Sequence, residues 1–401
     1  MRRLVTLLAI AVTVAGVGFI TAPYVHGFSF VVRAADMQGA LRRAADMDTR
    51  GVQEREIAIP TPRGSLRARI YTPAGSGKRV VLVVSGLHVA GIDEPRLLRL
   101  SKELAASGLV VVTPDIPELS SFEITPAITD DIEHAAAWLA TESGLASDRK
   151  IGMMGISFSG GLSIVAAGRP SMKDHVAYVF SFGGHADLPR VLRFLCTGQE
   201  PMPSGRVRLK PDATDDTAPP DQPFNKMPHD YGVAVILLAI ADRVVPAAQV
   251  EPLRSAVHRY LYASALDSNV DKPRAAREFD ALRQRAKTMR EPSATLLRYV
   301  TDRDVVHLGA RLLPYIGSYG TDDALSEARS PKPSAPVFLL HGTDDTVIPS
   351  IESEYVADDL RGKVPVRLLL SGLISHAEAD RPMHANDVLQ LASFWGDLLS
   401  R

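Results

Sequence analysis

One eleven-residue segment constrains the fold of this chain more than any other. Residues 151–161 read I-G-M-M-G-I-S-F-S-G-G, and an apolar, helix-like run follows at 162–168. The apolar beginning predicts a short buried strand. Only small neighbouring side chains let a strand turn sharply into a helix with a hydroxyl at the tip. The segment therefore predicts a strand, a tight turn and a helix, with a serine held outward between them.

Two serines compete for the tip of this turn. The strand and the helix come closest two residues before and two residues after the outward serine, so both positions need small side chains. With Ser157 at the tip these positions are Gly155 and Ser159, and Gly160 follows. With Ser159 at the tip the third small position is Leu162. The spacing favours Ser157, and Ser159 remains the alternative.

Strand and helix patterns alternate on both sides of this segment. Such alternation predicts an α/β protein with a doubly wound, mostly parallel sheet. Between residues 188 and 333 the patterns are mostly helical, and they include a proline-rich stretch at 201–228. The predicted division is a membrane anchor or signal segment at 1–24, a connector at 25–52, a core at 53–187 and 334–401, and a helical cap insertion at 188–333.

The amino terminus carries the second strong pattern. Arg2 and Arg3 precede an uncharged apolar run of 19 residues at 4–22. As a helix this run would extend roughly 28 Å, close to the hydrocarbon thickness of a bilayer. Basic residues before such a run stay in the cytoplasm. We therefore expect a single-pass anchor with the rest of the chain outside the cytoplasm, or a cleaved signal that leaves a secreted protein.

Composition excludes several classes of function. The 401 residues carry a formal net charge of −1, whereas a nucleic-acid partner requires a basic face. Cys196 is the single cysteine, which excludes an intrachain disulfide and a cysteine metal cluster. We expect Cys196 to be buried and not catalytic. His185 and His229 lack metal-ligand spacing to carboxylates, so the sequence predicts neither a metal nor another cofactor.

An outward serine becomes a nucleophile only when a base takes its proton and a carboxylate orients that base. The run P-V-F-L-L-H-G-T-D-D-T-V-I-P at 336–349 offers Asp345 after a predicted strand, with Asp344 as its neighbour. The next predicted strand leads into S-G-L-I-S-H and presents His376, whereas His384 follows at the start of a helix. The order serine, aspartate, histidine, each after a separate strand, predicts a catalytic triad.

These three motifs resemble the α/β-hydrolase superfamily, near its dienelactone-hydrolase-like and serine esterase branches. The resemblance covers about 53–187 and 334–400. It implies Ser157 as nucleophile, His376 as general base and acid, and Asp345 as the orienting acid, with Asp187 as an alternative acid. Two departures stand out, S-G at Ser85 and Gly86 where the family has H-G, and Ser159 where it has glycine.

The resemblance also implies an oxyanion hole, formed by the backbone N–H of Phe158 and that of Leu87, with His88 as the alternative. The implied activity is hydrolysis of a small carboxylic ester through an acyl-enzyme. The alternatives are a peptidase or acyltransferase of the same fold, and a catalytically silent, membrane-bound binding protein. Labelling by a fluorophosphonate would separate the three serine enzymes from the silent binding protein, because only an activated serine reacts.

Overall fold

The computed structural model describes residues 22–75, 77, 79–200, 226–268, 270–374 and 385–401. Its centre is an eight-stranded sheet with the order β1-β2-β4-β3-β5-β6-β7-β8. Strands β1 and β2 are antiparallel to their neighbours, and β3 to β8 run parallel. The strands are β1 (Val52–Thr61), β2 (Gly64–Pro73), β3 (Val80–Val84), β4 (Val110–Pro114), β5 (Ile151–Ile156), β6 (Val176–Phe182), β7 (Val337–Gly342) and β8 (Val366–Ser371).

Fifteen α-helices lie within the described residues, joined in places by short 3₁₀ turns. They are α1 (22–34), α2 (Ala40–Asp46), α3 (Pro95–Ala106), α4 (Pro117–Ser121), α5 (Pro126–Thr141), α6 (Phe158–Gly168), α7 (Leu188–Thr197), α8 (Asp230–Ala239), α9 (Ala241–Val244), α10 (Ala247–Asp267), α11 (Lys272–Thr288), α12 (Ser293–Thr301), α13 (Val305–Leu312), α14 (Ile351–Leu360) and α15 (Ala385–Leu399).

The central strands are apolar because helices cover both faces of the sheet. All five residues of β3 are buried, as are all six of β7. Two apolar clusters result, one on each face; the second includes residues of α3 and α15. Parallel strands covered on both sides have continuous apolar sequences of this kind. The predicted doubly wound, mostly parallel sheet is therefore confirmed.

Helices α7 to α13 all lie between β6 and β7 in the chain, where the sequence predicts a helical insertion. Apolar residues of α8, α10 and α12 join the same buried cluster as one face of the sheet. The helical segment and this face of the sheet therefore share one continuous apolar cluster. The exact boundaries of the five predicted segments stay a prediction.

The predicted connector, residues 25–52, is an integral part of the folded core. Helix α1 crosses α15 at Gly27, where a methyl group would lie 2.0 Å from the carbonyl oxygen of Ala392. Phe30 packs against Trp395, with ring centroids 4.4 Å apart. Arg33 is buried and bonds the Glu103 carboxylate at 2.8 Å. Two helices cover much of this segment, because α1 ends at residue 34 and α2 begins at Ala40.

Among the described residues, no helix is both long enough and apolar enough to cross a membrane. The predicted membrane anchor or signal segment, residues 1–24, lies outside the described residues except for 22–24, where α1 begins.

Candidate active site

Ser157 occupies the tip of the turn between β5 and α6 in a strained backbone conformation. Its φ is +56° and its ψ is −129°, a region that residues other than glycine seldom adopt. The Ser157 N–H donates to the Phe182 carbonyl at 2.6 Å, and the Ser157 carbonyl accepts from the Gly160 N–H at 2.8 Å. Such strain persists only where surrounding contacts enforce it, and it concentrates at functional sites. The Ser157 side chain is partly exposed.

The glycines around Ser157 are required by close backbone contacts. A methyl group on Gly155 would lie 2.2 Å from the Ser159 carbonyl oxygen. A methyl group on Gly160 would lie 2.5 Å from the Ser181 hydroxyl, and one on Gly161 would lie 2.4 Å from the His185 carbonyl oxygen. No side chain fits at these positions, because α6 lies close to β5 and to the segment that follows β6.

Ser159 has a different environment from Ser157. It is completely buried, and its hydroxyl is 2.9 Å from both the Val84 and the Ile156 carbonyl oxygens. The same hydroxyl accepts the Ile156 N–H at 3.0 Å. These contacts join β3, β5 and the first turn of α6. A hydroxyl held in this way has a structural role, whereas Ser157 stands at the tip.

Asp345 lies in a tight turn directly after β7 and is only 1% exposed. Its Oδ1 accepts the N–H groups of Val347 at 2.8 Å and Ile348 at 3.0 Å. Nε2 of the buried His341 donates to the Ile348 carbonyl at 2.9 Å, because a carbonyl can only accept. The same nitrogen is 3.4 Å from Asp345 Oδ2. The carboxylate is thereby fixed at the carboxyl end of β7.

The end of β6 lies between Ser157 and Asp345. The Phe182 carbonyl accepts the Ser157 N–H, and a methyl group on the next residue, Gly183, would lie 3.6 Å from Asp345 Oδ2. The two predicted residues therefore flank the same strand end. The neighbouring Asp344 is exposed.

The alternative acid, Asp187, is engaged elsewhere. It caps α7 by accepting the Arg190 N–H at 2.9 Å, and it forms an ion pair with Arg329. Both contacts stabilise the start of α7.

His376 and His384 both lie outside the described residues. The strand that precedes them does end beside the Asp345 turn, because Gly342 pairs with Ser371 and the Thr343 N–H donates to the Ser371 carbonyl at 3.2 Å. The described chain continues to Ile374, two residues before His376. The role of His376 stays a prediction.

The loop after β3 approaches Ser157 through Gly86, where a methyl group would lie 3.2 Å from Ser157 Cβ. The N–H groups of Leu87 and Phe158 have no hydrogen-bond acceptor among the described residues. The N–H of His88, by contrast, donates to the Leu119 carbonyl at 3.2 Å. Burial lowers the pKa of the His88 imidazole, and its Nδ1 accepts the Ala90 N–H at 3.2 Å.

Two buried supports of this site have no recognisable sequence pattern. Glu352 on α14 accepts the N–H groups of Ala186 and Asp187 at 3.0 Å each, and it pairs with Arg190 at 2.5 Å. His185 stacks on Phe158, with ring centroids 5.0 Å apart. Neither residue stands in a motif, because each contacts groups that are distant in the sequence.

The structure offers no thiol nucleophile at Cys196. The side chain is buried, and this burial raises the pKa of the thiol to about 12, so that the thiolate is scarcely populated at neutral pH. Within the described ranges, no cluster of three or more histidine, cysteine or carboxylate side chains could hold a metal ion.

No family model and no curated protein match the sequence. Among solved structures, the chain is similar to an esterase of the archaeon Pyrobaculum calidifontis, with 16% identity and a TM-score of 0.45 over 95% of this chain and 93% of that one. It is similar to an esterase from Pseudomonas putida, with 14% identity and a TM-score of 0.45 over 92% and 86%. It is also similar to a putative dienelactone hydrolase from Klebsiella pneumoniae, with 14% identity and a TM-score of 0.41 over 87% and 98%. These are proteins of the α/β-hydrolase superfamily, the family that the sequence motifs resemble.

Proposed function

We propose that this protein is a serine hydrolase that cleaves carboxylic esters. In this mechanism Ser157 attacks the ester carbonyl while His376 takes its proton, and His376 then protonates the departing alcohol. Asp345 orients His376 and stabilises its positive charge. Water activated by His376 releases the acid from the acyl-enzyme. The N–H groups of Phe158 and Leu87 stabilise the negative oxygen of the tetrahedral intermediate.

The strained conformation of Ser157 is the observation that carries this proposal. A positive φ costs a serine about 1–3 kcal/mol. Close packing at three glycines and the hydrogen bonds of the buried Ser159 hold the turn in this conformation despite that cost. A structural turn would gain nothing from this strain. A nucleophile does gain, because a hydroxyl at the tip of such a turn is next to the N–H of Phe158, at the start of α6, where negative charge is stabilised.

Fluorophosphonate labelling tests the nucleophile directly. We expect the wild-type protein to be labelled and a labelled peptide containing residue 157 to be found by mass spectrometry. Ser157→Ala should abolish labelling, and Ser159→Ala should retain it. An unlabelled wild type, or labelling that survives in Ser157→Ala, would exclude the mechanism.

Matched neighbours test the other two members of the triad. Asp345→Asn should lower kcat for p-nitrophenyl acetate by about 10³- to 10⁴-fold, because the base loses its orientation and its tautomer. Asp344→Asn, on the exposed neighbour, should leave kcat within twofold, about the precision of such a comparison. His376→Ala should be inactive and His384→Ala active. The opposite outcome for either pair would reassign the role.

We further propose that the helical segment 188–333 covers the site and selects the substrate. Its first described turn beyond residue 225 already contacts loops on two sides of the site. A comparison of p-nitrophenyl esters with p-nitroanilides of the same acyl group distinguishes esterase from peptidase activity. Faster turnover of the anilides would favour the peptidase.

We also propose that the apolar run at 4–22 tethers the protein to a membrane or directs its export. The support is its length, its lack of charge and the arginines that precede it. Alkaline extraction of membranes should leave a tethered protein in the pellet. Mass measurement of the mature amino terminus distinguishes an intact anchor from a cleaved signal, and a full-length protein that partitions into the extract would contradict both.

A further inference from the structure

The first turn of α8 contacts the loops on both sides of the candidate site. The Tyr231 hydroxyl donates to the Leu87 carbonyl at 2.5 Å. Two residues earlier, the His229 N–H donates to the Thr346 carbonyl at 2.9 Å, next to Asp345. The helical segment is thereby joined to the loop after β3 and to the loop after β7 by direct hydrogen bonds.

The bond from Tyr231 fixes one particular peptide group. The Leu87 carbonyl and the His88 N–H belong to the same peptide, and the His88 N–H donates to the Leu119 carbonyl at 3.2 Å. The plane of this peptide is therefore held from two opposite sides. The next peptide is held too, because the His88 carbonyl accepts the Gly91 N–H at 2.9 Å. The bonds to the Leu87–His88 peptide restrict rotation about the Leu87 Cα–C bond, and the Leu87 nitrogen is bonded to the same Cα.

Tyr231 is itself well held. Its ring meets Phe122 edge-on, with centroids 5.8 Å apart, and its N–H donates to His229 Nδ1 at 3.2 Å. Burial raises the pKa of Tyr231 well above its usual range, so its hydroxyl is protonated and can donate at neutral pH.

We propose that Tyr231 is a positioning residue, which holds Leu87 so that the Leu87 N–H meets the negative oxygen of the tetrahedral intermediate. This inference rests on the proposed function. An oxyanion donor acts only if it is aligned before the charge develops, and losing one such donor lowers kcat by about 10²- to 10³-fold. Losing a support that aligns the donor should have a smaller effect of the same kind.

Tyr231→Phe tests the inference, because it removes the hydroxyl and keeps the ring. We expect kcat for p-nitrophenyl acetate to fall about tenfold with KM within twofold, since only the transition state uses the donor. Affinity for a phenylboronic acid, which forms a tetrahedral adduct with the serine, should fall by the same factor. The melting temperature should stay within a few degrees of the wild type.

Tyr260→Phe is the matched control. It removes another hydroxyl hydrogen bond in the same helical segment, one made to Asp230 and not to the loop after β3. We expect its kcat to stay within twofold of the wild type. Wild-type kcat in Tyr231→Phe, or equal losses in both variants, would overturn the inference and leave the hydrolase proposal intact. A wild type that fluorophosphonate does not label would overturn the hydrolase proposal instead.

Discussion

In two regions of this molecule glycine residues let backbone segments come into direct contact, and the consequence differs between the two regions. At the serine turn, Gly155, Gly160 and Gly161 let α6 approach β5 and the residues after β6. At the crossing of α1 with α15, Gly27 and Gly396 let two helices touch. The first region holds Ser157 in a strained conformation, whereas the second joins the two ends of the described chain.

The two regions differ in the property that a small packing defect would change, which is stability in one and activity in the other. Packing at the α1–α15 crossing includes the buried contact of Phe30 with Trp395, so its disruption should lower the stability of the whole core. Packing at the serine turn sets the position of one hydroxyl, where displacements of about 1 Å can lower a rate by 10²-fold. Stability and activity should therefore separate when glycines in the two regions are replaced.

The largest effect on stability should follow Gly27→Ala. The new methyl group would lie 2.0 Å from the Ala392 carbonyl oxygen and 2.5 Å from the Gly396 nitrogen, so the helices must move apart. We expect the free energy of unfolding to fall by about 3 kcal/mol or more, measured by urea denaturation. Gly317→Ala, at a glycine with no atom within 4 Å of the new methyl group, should be nearly neutral. Similar losses for the two variants would refute the contact.

Gly155→Ala should mainly affect the serine turn. Its methyl group would lie 2.2 Å from the Ser159 carbonyl oxygen and 2.6 Å from the Ser163 hydroxyl. We expect the rate of fluorophosphonate labelling to fall about 10²-fold, with a loss of stability of about 1–3 kcal/mol. Labelling at the wild-type rate would show that the turn tolerates a side chain and that its strain is not needed.

Ser159→Ala should lower stability and spare the reaction. The change leaves the buried Val84 carbonyl and the Ile156 N–H without the Ser159 hydroxyl, which should lower the free energy of unfolding by about 1–3 kcal/mol. Labelling at Ser157 should continue within about tenfold of the wild-type rate. A complete loss of labelling in a folded variant would restore Ser159 as a candidate nucleophile.

The smallest effect concerns pH. Burial lowers the pKa of His185, whose Nε2 bonds the Leu325 carbonyl at 2.9 Å and whose Nδ1 has no partner among the described residues. The unfolded chain therefore binds this proton more readily than the folded one. Its contribution to stability is full above the ordinary pKa near 6.5 and declines below it, by at most about 1.4 kcal/mol per pH unit. His185→Gln should show a shallower loss of stability between pH 6.5 and 5, and an unchanged slope would contradict this account.

Sequence patterns predict the structural features that depend on residues close together in the chain. The strand–turn–helix at 151–168 and the apolar strands follow from local spacing, and the structure agrees with them. Helix α7 begins where the predicted helical insertion begins, and its Pro189 is well tolerated in a first helical turn after a capping residue such as Asp187. The placement of Asp345 beside the end of β6 depends on the strand order, which the alternation of strands and helices does not fix by itself.

Contacts between distant segments could not be predicted in the same way. Tyr231 donates to a backbone carbonyl 144 residues away in the chain. Every residue has a backbone carbonyl, so the sequence does not indicate which one is the acceptor. Arg33 reads as one more polar residue of a connector, yet it is buried with Glu103 and Ser107 as partners. The residues that support the candidate site are harder to predict from the sequence than the residues that would react, because their partners are so often backbone groups.

The crossing of α1 and α15 has a consequence for how the protein is made. Phe30 packs against Trp395, which the ribosome adds about 365 residues later. At 5–20 residues per second, Trp395 is added roughly 20–70 s after Phe30. During that interval the face of α1 that contacts α15 lacks its native partner and stays exposed to solvent and to proteases. A chain that ends before α15 should accordingly be cut by protease within α1, whereas the complete chain should resist.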